Sequence, residues 1–308
     1  GASLLLFFIP VAEIAMLANG LRGIGWAGLN TGGYTLLALI APVMRRGEAS
    51  GYYSGAQASA SILFPAVALW LIDAPLGGFR VVVALSAALA VAGGIISLAV
   101  DRRAPSGAAR KSSDSPGEAR ASPFTLVERE VLLPSAFLFC LNLPYPAVSG
   151  FLVLYARTIG IENIAWYFVA SGSTSLLTRP ALGRVADKIG SGPSLAAGFV
   201  LEIFALLLVA VASDLTLVLV SGVLFALGNA IGSSTTLALA IQKANPQRRG
   251  RAMASFSIAY PLAAGVGALL TGSAVEVAGY FWMYLMAAGL AAAGFLATIT
   301  SWSSLKGD

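Results

Sequence analysis

Two ionisable side chains stand inside stretches that are otherwise apolar. Glu202 lies near the centre of its run, with no other charge within eleven residues on either side. Arg22 lies about nine residues into another run. A charged side chain at the middle of a bilayer costs about 2.5–3.5 kcal/mol on insertion scales, so each is expected to be paired, hydrated or, for the acid, protonated. Such a residue reads first as part of a solute or ion pathway. For Glu202 the functional reading is proton coupling, and a hydrogen-bonded structural acid is the other. For Arg22 the functional reading is a cavity or coupling residue, against a structural Arg bonded to carbonyls of a neighbouring helix. The residues of hydrolytic and redox chemistry are missing. There is no His, so His metal sites, His general bases and His proton relays are absent. The single Cys, Cys140, can form neither an internal disulfide nor a Cys-rich zinc site. No G-x-x-x-x-G-K-[ST] phosphate loop occurs, no second intramembrane acid pairs with Glu202, and a Ser nucleophile would lack its base. The reading is a non-enzyme with no cofactor and no metal.

The elements that must hold these residues are membrane helices. Of 308 residues, 57% are apolar and 11% charged. A soluble domain carries about 25% charged residues. A helix needs about 20 apolar residues to cross the hydrocarbon core. Ten continuous apolar runs occur, at 1–9, 14–41, 49–72, 79–100, 132–157, 163–182, 191–213, 216–243, 250–275 and 280–303. They do not alternate, which favours helices over a barrel. The first run is too short to span, so the chain is expected to begin inside a helix, as the C-terminal part of a longer protein. The net charge of +5 is an orientation signal and not a nucleic-acid footprint. Fifteen of the nineteen basic residues, among them Arg45, Arg46, Arg102, Arg103, Arg184, Lys188, Lys243 and Arg248, fall in one set of loops. The opposite loops hold Arg80 and Arg157 only. The first set is therefore cytoplasmic. Residues 101–130, rich in Ala, Ser, Pro, Arg and Glu without an apolar period, read as a flexible cytoplasmic linker.

The two sides of that linker repeat one another. Arg45-Arg46-Gly47-Glu48-Ala49 precedes one helix, and Arg248-Arg249-Gly250-Arg251-Ala252 precedes another 203 residues later. Gly25 falls opposite Gly228, and Tyr53-Ser54 opposite Phe256-Ser257. Two related helical halves are an arrangement that many transporters use.

Two motifs carry a family resemblance. Leu21-Arg22-Gly23-Ile24-Gly25-Trp26-Ala27-Gly28 resembles the fourth-helix pattern of the major facilitator superfamily, an Arg followed by spaced glycines. Arg179-Pro180-Ala181-Leu182-Gly183-Arg184-Val185-Ala186-Asp187-Lys188-Ile189-Gly190 resembles that family's cytoplasmic signature between helices 8 and 9. The resemblance covers the whole chain and numbers its segments as helices 3 to 12. It implies an all-α integral membrane protein with the MFS fold, two pseudo-symmetric six-helix halves of which the first is incomplete. Residues 1–100 would be the C-terminal part of the first half, 101–130 the linker and 131–308 the second half. Phe64-Pro65 and Ala68-Leu69 depart from the fifth-helix pattern of exporters, where Gly-Pro and a Gly pair are usual.

The resemblance also implies roles. Arg22 becomes a transport or coupling candidate beside Glu202, although the ninth helix, which carries Glu202, is usually peripheral in this fold. Gly25 and Gly28 would let a neighbouring helix approach. Gly183, Arg184, Asp187 and Gly190 would form a gating loop in which Asp187, in a short cytoplasmic turn, faces the N-terminus of the helix starting near Ser50. Pro65 and Pro261 would kink two related helices, and Pro144 and Pro146 would loosen the helix around Tyr145. Cavity candidates on the lining helices are Asn30, Tyr34, Gln57, Asn142, Tyr145, Ser149, Asn229, Ser233 and Tyr260. The implied function is secondary active transport of a small organic solute by alternating access, with proton coupling and efflux. Uptake by the same fold, or a non-transporting sensor or fragment, are the alternatives. The partners are a small-molecule substrate, protons and the lipid bilayer, without nucleic acid. The protein is expected to be a monomer in a bacterial inner (plasma) membrane.

Overall fold

The computed structural model describes residues 21, 23, 25, 60, 64–72, 78–101, 128–245 and 249–302. The chain divides into two compact units, Gly1–Ala121 and Ser122–Asp308. In the first, residues 64–72 are helical, and α1 spans Phe79–Asp101. The second unit contains α2 (Leu132–Asn142), α3 (Tyr145–Ser149), α4 (Leu152–Thr158), α5 (Ala165–Ile189), α6 (Ser191–Ala210), α7 (Leu215–Lys243) and α8 (Arg249–Thr300). No strand occurs among the described residues. The fold is all-α and multi-pass.

Among the described residues, five helices are long and apolar enough to cross a membrane, including Ser191–Ala210, Leu215–Lys243 and the 49-residue stretch Ala252–Thr300. At about 20 residues per crossing, the last is two spans. Their turn is Gly279, whose φ of 83° is left-handed and available to Gly at little cost. Gly190, with φ 88°, makes the equally tight reversal from α5 to α6. α5 continues helical to Ile189, so Asp187 lies in the last turn of a helix and not in a short loop. The sequence suggested a loop because the charges of 184–188 end the apolar run; a helix end leaving the bilayer tolerates them equally well. The apolar run 132–157 is not one helix. It breaks at Leu143–Pro144 and again at Gly150–Phe151. Pro144 and Pro146 lack the N–H that would continue the ladder. The second break follows directly on Gly150.

Within the second unit, α6 packs on α7, α7 on α5, and α8 on α6 and α2. Small residues set these approaches, because lipid gives no hydrophobic force between helices and close packing must hold them. A Cβ on Gly228 would stand 2.6 Å from the Gly198 carbonyl oxygen and 3.0 Å from Glu202 Cγ. Gly232 receives Leu141 at 2.6 Å, and Gly222 receives the Tyr167 ring at 2.7 Å. Gly267 of α8 receives the Leu143 carbonyl at the proline break, and Gly294 receives the Phe199 ring. One apolar core joins Phe137, Leu141, Leu195, Phe199 and Leu239. A second, around Val131, Leu138, Ala240, Ala252 and Phe256, lies where the chain enters this unit.

Candidate functional site

Asn229 stands at the middle of the 29-residue α7. Its Nδ2 donates to Glu202 Oε1 of α6 at 3.4 Å. Glu202 is fully buried, and its Oε2 has no hydrogen-bond partner among the described residues. The helix crossing explains this placement. Gly228 and Gly198 bring the α6 and α7 backbones together, and the carboxyl lies in the seam beside Gly228, one residue from Asn229. Ser233, one turn further along α7, donates to the Ala230 carbonyl at 3.4 Å and is half-buried. Asn229 and Ser233 share a face, four residues apart.

α5 contributes a polar run that the sequence reading passed over. Ser171, Ser173, Thr174, Ser175 and Thr178 are all half-buried. Thr174 and Thr178 return their hydroxyls to the Ala170 and Thr174 carbonyls at 2.8 and 2.6 Å. The signal was visible as Ser171-Gly172-Ser173-Thr174-Ser175. These residues are too short and too weakly polar to break an apolar run, so it read as a span. Among the described residues α5 is not one of the helices that length and composition mark as spans.

A third polar region sits at the breaks between α2, α3 and α4. Tyr145 of α3 is 37% exposed, and its ring centroid lies 6.5 Å from that of Tyr260 on α8. Ser149 returns its hydroxyl to the Tyr145 carbonyl at 3.1 Å. Asn142 is buried and donates Nδ2 to the Leu138 carbonyl at 2.8 Å. Further along, Tyr284 donates its hydroxyl to the Ala147 carbonyl at 3.2 Å, beside the Gly150 break. Its ring meets Tyr155, which also meets Tyr280, each with centroids 5.4 Å apart. Tyr155 Oη lies 3.4 Å from the carbonyls of Ala210 and Ala212 at the end of α6. These tyrosines secure a helix whose own ladder is interrupted.

The expected site residues are thus partly assembled. Glu202 meets Asn229, and Tyr145 meets Tyr260. Gly183, Arg184 and Asp187 are backbone positions within α5, and Gly190 is the turn that follows it. Pro65 is half-buried in the helical stretch 64–72. Gly25 is helical and exposed, and no described atom lies within 4 Å of where its Cβ would be, so the close helix approach expected there is not found among the described residues. Arg22, Gly28, Asn30, Tyr34 and Gln57 lie outside the described residues. Among the described residues no group of three His, Cys, Asp or Glu side chains could hold a metal ion.

Comparison with known proteins adds two findings. The model of the family described as Major Facilitator Superfamily matches residues 1–171 and 147–303. An uncharacterized MFS-type transporter, MJ1560, of Methanocaldococcus jannaschii is 24% identical over 143 residues. That match covers 46% of this chain and 37% of the relative's length.

Proposed function

The chain belongs to the Major Facilitator Superfamily, a family of non-enzymatic membrane transporters, and from that premise we propose that it moves a small organic solute across the bilayer by alternating access. The observation that carries the proposal is a set of half-buried polar side chains midway along two packed helices. The Ser/Thr run of α5 and the Asn229–Ser233 face of α7 offer hydrogen bonds where lipid offers none. Tyr145 and Tyr260 add an aromatic edge at a helix break. Such a lining suits a neutral, zwitterionic or lipophilic cationic solute better than a highly charged one.

The remaining parts of the proposal follow from the sequence. Residues 1–100 belong to one six-helix half, 101–130 form a cytoplasmic linker, and 131–308 form the other half. Protons drive export, with Arg22 as the coupling residue. Asp187 and Arg184 latch one state of the cycle from the cytoplasmic side. The protein works as a monomer in a bacterial inner membrane. Of the two coupling candidates we retain Arg22, because Glu202 is sealed between α6 and α7.

Reconstitution tests this. The full chain would be placed in liposomes loaded with a pH-sensitive dye and challenged with neutral, zwitterionic and cationic solutes. The expected result is solute-dependent proton movement in the parent that is lost in Arg22→Ala. Solute flux with no proton movement would overturn the coupling. Absence of flux for every class would overturn transport of such solutes.

A further inference from the structure

Two main-chain N–H groups in the second unit have no place in the ladders beside them. Arg129–Val131 forms a single 3-10 turn ahead of α2, and Glu128 precedes it in an extended conformation (φ −78°, ψ 123°). The Glu128 N–H therefore lies outside that turn's own hydrogen bonds. At the end of α7 the last ladder bond runs from Ala244 N to the Ala240 carbonyl at 3.0 Å. Ala244 then leaves the helix extended (φ −69°, ψ 128°), not left-handed, so the N–H of Asn245 does not fold back onto α7. Each N–H finds its acceptor on another element. Glu128 N donates to Ser255 Oγ of α8 at 3.2 Å, and Asn245 N donates to Glu130 Oε2 at 2.8 Å. Beside these ties Val131 is fully buried, in one core with Leu138 of α2, Ala244 at the α7 exit, and Ala252 and Phe256 of α8.

We infer that Glu128–Val131 is a strap that buckles the start of α2 to the exit of α7 and the first turns of α8, and that it engages and releases as one piece. The last residues of the proposed linker then hold the second unit together and are not a passive tether. The cooperativity has a physical source. Both ties hang on one short turn seated by Val131, so losing either lets the turn lift and weakens the other. Glu130 is exposed, whereas Ser255 and Val131 are buried. Water competes first for the Glu130 tie, which makes Glu130 the catch of the strap. With the strap engaged, α2 is fixed at the end away from Leu143–Pro144, and bending is left to the two breaks beyond it. This goes beyond the transport reading and does not depend on which solute is moved.

The test is amide-resolved hydrogen exchange on the full chain in nanodiscs, with no solute present. Glu130→Ala removes the acceptor of Asn245 N and should speed exchange at Asn245 by about fivefold, the factor that one ordinary hydrogen bond contributes. The distinctive expectation is remote. The Glu128 amide keeps its own acceptor in that variant, yet should speed up by a comparable factor, together with the amides of Ser135 and Ala136 in α2. Ser255→Ala should conversely speed exchange at Asn245. Glu130→Gln keeps an acceptor oxygen and should match the parent, and the double variant of Glu130→Ala with Ser255→Ala should add little to either single change. Glu130 is exposed, so its substitution leaves the fold intact; Glu130→Asp, one methylene shorter, gives a second way to open the catch. Faster exchange confined to the amide whose acceptor was removed would mean two independent ties and would overturn the strap. So would α2 amides that do not respond, or an Asn245 amide indifferent to Glu130→Ala. None of these outcomes touches the transport reading, and a failure of that reading leaves the strap standing.

Discussion

Replacing Gly228 by Ala probes the seam between α6 and α7 most directly. The new Cβ would stand 2.6 Å from the Gly198 carbonyl oxygen and 3.0 Å from both Glu202 N and Glu202 Cγ. Ordinary contact begins near 3.4 Å, so the two backbones must part by about 0.8 Å. Two of these neighbours are backbone atoms of a packed helix and cannot swing aside. Overpacking of this kind costs about 1–3 kcal/mol. The separation also strains a Glu202–Asn229 hydrogen bond that is already 3.4 Å long, and losing it costs about 1 kcal/mol more. Against this, Ala gains about 0.5–1 kcal/mol over Gly in a helix. The net expectation is destabilisation by about 1–3 kcal/mol. Gly265 of α8 is the control. It is exposed and has no described neighbour within 4 Å of a built Cβ, so Gly265→Ala should be neutral or slightly stabilising. At about 2–4 °C per kcal/mol, Gly228→Ala should unfold about 2–12 °C below Gly265→Ala. The assay is the temperature at which detergent-solubilised protein loses its monodisperse peak. A Gly228→Ala protein as stable as Gly265→Ala, or more so, would refute the close crossing and the hydrogen bond placed within it.

Other outcomes can be checked with similar means. Tyr284→Phe removes the donor to the Ala147 carbonyl beside the Gly150 break and should cost about 1 kcal/mol, seen as a midpoint about 2–4 °C lower; an unchanged midpoint would mean that carbonyl does not depend on the phenol. Asp214 caps α7 by accepting from Leu217 N at 3.0 Å, so Asp214→Ala should cost about 1 kcal/mol and speed amide exchange in the first turn, whereas Asp214→Asn should do neither. Equal exchange in both variants would refute the cap. Asp187→Asn should lower the transport rate and shift the inward/outward population, read by distances between spin labels on the two halves; no change in either would end the latch proposal.

Much of this architecture was legible because hydropathy and length decide where a chain can cross a bilayer. The ends of α1, α6 and α7 fall within about three residues of the runs read from sequence. What lay beyond reach was pairwise. Gly198 and Gly232 are unremarkable among 34 glycines, and Gly228 stands out only as the repeat partner of Gly25, until the helices are docked. Glu202 and Asn229 were each noticed alone. Their separation of 27 residues carries no sign that they meet, because nothing local couples two different helices. The break at Leu143–Pro144 was announced by its prolines, but the one at Gly150 was not, since Gly is also ordinary packing material in membrane helices. The hydroxyl run of α5 was missed for a related reason: Ser and Thr can satisfy their hydroxyls on their own helix carbonyls and so hide in an apolar segment.

These local features divide the second unit into parts of different stiffness. α6 and α7 meet through backbone atoms at two glycines and share a part-buried hydrogen bond, so neither can slide without opening the other. The α2–α4 segment differs. Its ladder is interrupted twice, and although buried side chains such as Leu141, Ala147 and Leu152 pack each piece, no backbone hydrogen bonds among the described residues continue across the breaks. The breaks are tied by the Tyr284 and Tyr155 phenols and a glycine of α8. A single side-chain hydrogen bond contributes about 1 kcal/mol, whereas reopening a backbone crossing means losing packing along two whole helices. Bending at the breaks therefore costs less than shear at the seam. A cycle that reshapes this unit should move α3 and α4, carrying Tyr145, past a stationary α6–α7 pair. On that view Asn229 belongs to the rigid part and the aromatic edge of Tyr145 to the part that moves. A crosslink between α6 and α7 should then spare transport, and one between α3 and α8 should stop it.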